Sequence, residues 1–277
     1  MKLATIRLDG RTAAVRLDED RAVEIRGADD VGALLADPGW RDRAAAAAGP
    51  AHPLGGLGYA PLVPTPGKII CVGLNYRNHI LEMGRELPEY PTLFAKYTEA
   101  LIGPYDDITL PAGSAAVDWE AELAVIVGSP VRHADADTAR AAIAGYSVLN
   151  DVTARDFQNR TRQWLQGKTF EATTPLGPAL VTPDELPAGG LEMTCEVDGE
   201  VMQRADTADL VFDPVTLVSY ISGIITLRPG DVIATGTPGG VGHARTPPRY
   251  LTDGSKVVTR ITGVGEQINT ARPEGAV

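Results

Sequence analysis

Three carboxylates, Asp118, Glu120 and Glu122, alternate along VDWEAELAVIVG at the mouth of an apolar run. The run predicts a β-strand, and in a strand residues two apart share a face. The three acids would then converge beside the core, where a soluble protein rarely gathers like charges without a cation to offset them. Oxygen donors without a histidine cluster favour a hard ion such as Mg²⁺, Mn²⁺ or Ca²⁺. The competing reading is an edge strand defended by charge.

Other residues suit the same chemistry. GYSVLND reads as an apolar strand ending at Asn150 and Asp151. Asp151 either joins the other acids or caps the helix that follows. Arg155 and Gln158 lie four and seven residues further on, so a helix would carry all three on one side. Arg155 would then pair with the acids or bind a substrate carboxylate. Lys168, in QGKTF, supplies a cation for a developing oxyanion if half-buried, and is merely solvated if it lies on a loop. RPGDVIATGTPGGVG reads as a turn, a strand and a glycine-rich loop. It lacks the Gly-Lys-Ser/Thr ending of a P-loop. Its N–H groups and threonine hydroxyl suit a carboxylate, unless the loop is only a tight corner between sheets. His79 and Glu82 share a face of a short helix, either as a general-base pair for water or as solvated surface. With Asn75 and Asn78 they give that face the look of a polar lid. There is no Gly-x-Ser-x-Gly elbow, and neither Cys71 nor Cys195 has a neighbouring histidine.

The elements that must position these groups are mostly strands. Lys2 to Leu8 and Thr12 to Leu17 alternate around Asp9-Gly10, a hairpin signal. A strand at Ala22 to Ile25, a helix at Val31 to Leu35 and a helical or loose alanine-rich stretch from Arg41 to Ala48 follow. A Gly/Pro-rich connector then runs to Pro66. Further strands are predicted at 69–73, 121–127, 146–149, 179–181, 193–197, 231–234 and 256–261, and helices at 75–84, 135–144 and 214–222. Strands outnumber helices without regular alternation, so the fold class is α+β and β-rich. The division is a small N-terminal β-rich unit, 1–64, and a catalytic unit, 65–277. The segment from Asn269 to Val277 reads as a surface tail.

The 277 residues are 44% hydrophobic, enough for a substantial core, and the formal charge of −11 disfavours nucleic acid and anionic membranes as partners. No stretch approaches the roughly 20 apolar residues of a membrane span, and the opening MKLATIRLDG turns polar too soon for a signal peptide. Two cysteines in apolar strands read as buried free thiols. The expected setting is cytoplasmic.

The motifs VGLNYRNHILEMG, LFAKYTEALIGPYDDITLP, VDWEAELAVIVG, GYSVLNDVTARDFQ, QWLQGKTF, PLGPALVT and LRPGDVIATGTPGGVG occur in this order. In them the chain resembles the fumarylacetoacetate hydrolase superfamily, in its compact bacterial form, over roughly Lys68 to Val264. The resemblance implies a mixed β-sheet roll, usually a homodimer. It implies one Mg²⁺ or Mn²⁺ held by Glu120, Glu122 and Asp151, which leaves Asp118 without a ligand role. Lys168 matches the family lysine, and Gly236 and Thr237 match the loop that contacts the substrate carboxylate. Arg155 and Gln158 fall on positions facing the substrate, and His79 and Glu82 on a mobile lid that activates water.

The implied reaction is hydrolysis of a C–C bond in an acylpyruvate or related 2,4-dioxo acid, through an enolate stabilised by the ion. The same site supports oxaloacetate decarboxylation, or isomerisation and decarboxylation of 2-hydroxyhepta-2,4-diene-1,7-dioate, and the fold alone does not choose. A silent ligand-binding or scaffold protein is the alternative from another class. The intact set of Glu120, Glu122, Asp151, Lys168 and His79 speaks against it.

Overall fold

A computed structural model describes residues 1–275 of the chain. Gly10, at φ +74°, turns the chain between Lys2–Leu8 and Arg11–Leu17, which pair antiparallel from Leu8↔Arg11 to Lys2↔Leu17. Arg21–Glu24 and Ala51–Pro53 extend this ribbon. The connector is thus more ordered than its Gly and Pro content suggests, and Gly58–Tyr59 within it also pairs, with the first strand. Two short helices, Val31–Leu35 and Trp40–Ala45, bury Val31, Leu34, Leu35, Trp40 and Ala44. The Asp30 carboxylate caps the first by accepting from the Ala33 N–H.

The ribbon continues into the rest of the chain. Lys2–Leu8 pairs with Thr174–Val181 through Lys2↔Val181 and Leu3↔Leu180. Beyond it the same sheet runs through Ile143–Asn150, Ala121–Val127, Val232–Ala234, Ile69–Gly73 and Thr92–Lys96. Most neighbours are antiparallel, but Val232–Ala234 lies parallel to Ile69–Gly73, so the sheet is mixed. A second sheet joins Glu200–Asp206, Glu192–Val197, Lys256–Ile261, Gly265–Pro273 and Ile108–Leu110.

Ala121–Val127 is buried along its whole length, which is why it reads as an unbroken apolar run. Val125 and Val127 pack under the helices Ala136–Ala142 and Pro214–Ile224, while Leu123 meets Met193 and Cys195 of the second sheet. On the opposite face Ala124 and Ile126 join a core shared with Leu34, Leu35 and Trp40. Glu122 is the next residue along that face. The strand with the acids is covered on both sides, so the edge-strand reading does not hold.

Several boundaries move. The helix expected to end at 144 stops at Ala142, because Ile143 already begins the strand to Asn150. The expected tail is instead the strand Gly265–Pro273, paired on both sides. Its inward residues include Gln267 and Asn269, both buried, and these polar side chains hide the alternation. Asn269 donates to the carbonyls of Pro104 and Asp106. Residues 276–277 of that tail lie outside the described residues. Cys71 and Cys195 are buried free thiols, and burial pushes the Cys195 thiol up to about 12. No described helix is long and apolar enough to cross a membrane.

Leu34 and Leu62 share one hydrophobic cluster with Ile69, Leu176 and Leu180. Residues 65–277 expressed alone are therefore expected to aggregate, or to lose cooperative urea unfolding, because that surface would face water. Unchanged unfolding of the shortened chain would show that the first 64 residues are an independent unit.

Candidate active site

Glu120, Glu122 and Asp151 offer carboxylate oxygens that all lie within 4.8 Å of one another, and all three residues are buried. The antiparallel pairing of two central strands brings them together. Ala121 pairs with Asn150, so Asp151 emerges beside Glu120 and its N–H donates to the Glu120 carbonyl at 2.8 Å. The Asn150 side chain locks this register. Its Oδ1 accepts the Glu120 N–H at 2.9 Å and its Nδ2 donates to Thr259 Oγ1 at 2.9 Å.

Asp118 goes elsewhere. The strand is interrupted at Trp119 and Glu120, and Val117–Asp118 pairs separately with Thr153–Ala154. Asp118 accepts from the N–H groups of Trp119, Gly242 and His243 at 2.7–3.0 Å, and from Arg155 Nε at 2.8 Å. Its oxygens anchor the glycine loop and the arginine, so strict alternation does not carry it into the triad.

Cations surround the triad. Lys168 is buried, not solvated, and its Nζ bridges Glu120 and Asp151 at 2.7 Å each. Gly167 makes this possible: a Cβ there would press into the backbone N of Gln158 and lie 2.6 Å from the Ala154 carbonyl. The short helices Leu165–Lys168 and Arg155–Gln158 pack together because it has none. Arg155 Nη1 lies 2.6 Å from Glu120 and donates to Gln158 Oε1 at 3.0 Å. Arg155 Nη2 is buried with no hydrogen-bond partner. Lys96, at the inner end of its strand, is fully buried and donates to the other oxygen of Asp151 at 2.6 Å. Sequence reading passed over Lys96. A lysine closing a strand normally reaches solvent, and only its apolar flank in LFAKY marked it.

Burial works against every charge here, and the neighbours decide the outcome. For Lys168 and Arg155 the acids outweigh burial and hold both in the cationic form. Against burial, Lys168 and Lys96 keep Asp151 below the usual carboxylate range. Glu122 is different. Among the described residues it forms no ion pair, and one oxygen accepts the Gly236 N–H at 2.8 Å. Burial, then the charges of Asp151 and Glu120, push it well above the ordinary value. A divalent ion among these oxygens would supply the positive charge that Glu122 lacks, and an all-oxygen donor set suits Mg²⁺ or Mn²⁺. The residues fit the ion.

A cavity of about 170 Å³ opens beside the triad, lined by His79, Glu120, Arg155, Gln158, Lys168 and Thr237, with Val72, Phe94, Trp164 and Val241 as its apolar wall. Gly236 stands behind it. At φ +101° it takes a conformation that favours glycine, and its N–H is committed to Glu122. His79 sits on the helix Arg77–Glu82, half-buried, and burial lowers its pKa against the pull of Glu82 and Glu120. Glu82 is exposed and outside the lining, although it and His79 both approach the open face of Gly239. Asn75 does not belong to the polar face. It is buried, and its side chain ties the Thr235 carbonyl to both backbone groups of Phe212.

Buried carboxylates arranged for a divalent ion, beside a cavity holding a lysine, an arginine and a histidine, define a metal-dependent enzyme. Residues 68–272 match the family model of the fumarylacetoacetate (FAA) hydrolase C-terminal domain. The chain belongs to the fumarylacetoacetate hydrolase family. It is 44% identical over 229 residues to the mitochondrial oxaloacetate tautomerase of Rattus norvegicus, covering 82% of this chain and 73% of that one. The fumarylacetoacetate hydrolase of Exiguobacterium antarcticum superposes with a TM-score of 0.87 at 32% identity, over 99% of this chain and all of the other. The 5-carboxymethyl-2-hydroxymuconate delta-isomerase of Mycobacterium smegmatis gives 0.84 at 34%, with the same coverage.

Glu122→Gln tests the electrostatic argument. A carboxyl with a raised folded pKa costs stability as pH climbs above the unfolded value of about 4.3. The variant is therefore expected to raise the melting temperature of EDTA-treated protein at pH 7, by roughly 2–4 °C for each kcal/mol of repulsion relieved. It should also abolish stabilisation by added Mg²⁺ or Mn²⁺. Wild-type metal stabilisation in the variant would refute the ligand assignment.

Proposed function

We propose that the protein acts on small 2-oxo acids, with keto–enol tautomerisation of a 2-oxo dicarboxylate such as oxaloacetate as its reaction. The observation that carries this reading is one cavity lined by Lys168, Arg155, His79 and Glu120, the last a member of the buried carboxylate triad. The likeness to oxaloacetate tautomerases supports the choice of substrate. Mg²⁺ or Mn²⁺, when bound by Glu120, Glu122 and Asp151, would supply Lewis acidity to the carboxylate and keto oxygens of a 2-oxo acid.

The side chains do the rest. Arg155 Nη2, unpartnered in the protein, binds a carboxylate oxygen of the substrate, and the Thr237 hydroxyl binds another. Held cationic by its acids, Lys168 offsets the negative charge that gathers on the substrate oxygen as the C3 proton leaves. His79 takes that proton from C3 and delivers it to the C2 enolate oxygen, and the reverse transfer, from the enol oxygen to C3, regenerates the keto acid. Burial favours the neutral form of His79, so the base is present at neutral pH and is lost only as pH falls into the acid range. Val72, Phe94 and Trp164 supply the apolar part of the lining and limit the water beside these groups.

A second reading has its own support. His79 and Glu82 converge on Gly239, so a small movement of the helix would pair them to deprotonate a water. That water would attack the distal carbonyl of an acylpyruvate, break the C3–C4 bond and release pyruvate after protonation of C3.

Product analysis separates these readings. The enol of oxaloacetate and a panel of acylpyruvates are incubated with Mg²⁺ or Mn²⁺, with and without EDTA. Tautomerisation is followed by loss of enol absorbance and cleavage by pyruvate release. The expected result is EDTA-sensitive loss of enol signal faster than the buffer rate, and no turnover of any 2-oxo acid would overturn the assignment. His79→Ala is expected to cut turnover by roughly 10²-fold or more, with metal affinity nearly unchanged. It should also flatten the acid limb of the pH–rate profile. Full activity in the variant would remove His79 from the mechanism.

A further inference from the structure

Thr237 reaches the cavity from a loop whose shape is set by a residue on the second sheet. Gln203 lies on Glu200–Asp206 and is buried at 1% exposure. Its Oε1 accepts the Ala121 N–H at 2.9 Å. Its Nε2 donates to the Pro238 carbonyl at 3.0 Å and to Thr237 Oγ1 at 2.8 Å. The orientation of this amide is fixed, since an N–H can only donate and a carbonyl can only accept. The Oε1 atom must face Ala121, and the NH₂ group must face Pro238 and Thr237.

A consequence follows for the threonine. A hydroxyl has one proton to donate, and Thr237 Oγ1 already accepts from Gln203. Among the described residues the hydroxyl donates to no protein group, and Thr237 lines the cavity. Its proton is left for the ligand. We propose that Gln203 is a positioning residue that makes Thr237 a dedicated hydrogen-bond donor, and so selects an anionic oxygen at that point in the cavity. The proposal rests on the reading that the cavity holds a 2-oxo acid. The amide also holds Ala121, the residue between Glu120 and Glu122, so one side chain spaces the carboxylate site from the metal ligands.

Gln203→Glu reverses the polarity without shortening the side chain. One oxygen still accepts from Ala121, but the other takes the Thr237 proton instead of supplying one. Gln203→Met keeps the length and removes the donor, and serves if a buried acid prevents folding. The measurements are calorimetric titration of oxalate into Mn²⁺-loaded protein, Mn²⁺ affinity itself, and KM and kcat on enol oxaloacetate. Loss of a hydrogen bond to a charged group is expected to weaken oxalate binding and raise KM by about 10- to 100-fold. Mn²⁺ affinity and kcat should change far less. Combining either variant with Thr237→Val should weaken oxalate binding no more than Thr237→Val alone, a non-additivity that a general loosening of the fold would not produce.

Unchanged oxalate affinity in the Gln203 variants beside weakened affinity in Thr237→Val would overturn the proposal. So would additive losses, or a loss of Mn²⁺ affinity that accounts for the whole effect. Failure of the wild-type protein to bind oxalate or turn over a 2-oxo acid would instead sink the functional reading beneath it.

Discussion

The fold is organised around a charge imbalance. Three carboxylates meet in a buried space, and two of them are neutralised by Lys168, Lys96 and Arg155. Glu122 receives only a backbone N–H and carries the repulsion of the other two. Such an arrangement is costly in a low-dielectric interior unless a cation completes it. The surrounding structure accordingly holds each acid in place with bonds that a flexible site would lack. Asn150 fixes the Glu120 backbone, Gln203 fixes Ala121, and the antiparallel strand pairing fixes Asp151.

The second sheet is what makes this rigidity possible. Thr259 anchors Asn150, and Gln203 reaches across to both Ala121 of the central strand and Thr237 of the glycine-rich loop. The large sheet therefore presents the carboxylates, while the small sheet sets their register and aims Thr237. The helices on the far face of the central strand bury Val125 and Val127 and keep that strand from shifting. Packing energy and site geometry are coupled through one seven-residue strand.

Much of this was legible in the sequence, for identifiable reasons. Apolar runs marked the central strands, Asp9-Gly10 marked the first hairpin, and alternation brought Glu120 and Glu122 to one place. The same alternation misplaced Asp118, because a two-residue break at Trp119 and Glu120 rotates it toward Arg155 and the glycine loop. Lys96, Gln203 and Asn269 were missed for a common reason: each is a polar side chain in a buried position whose partners lie far away in sequence. Local pattern assigns such residues to solvent. The last strand was lost in the same way, its inward face being Gln267 and Asn269 where an apolar residue would have announced it.

The hydrogen bond from Gly236 to Glu122 joins two halves of the site that are usually described apart. Glu122 is one of the three carboxylates that could hold an ion, and Gly236 is followed directly by Thr237, which lines the cavity. Whatever settles the carboxylate settles the peptide that aims the hydroxyl. Free-energy coupling of this kind is reciprocal, so a ligand seated at the loop would tighten the grip on an ion by the same factor that the ion would tighten the grip on the ligand. Neither would have to come first, since a cation at the carboxylates and an acid at the loop would each steady the same peptide for the other.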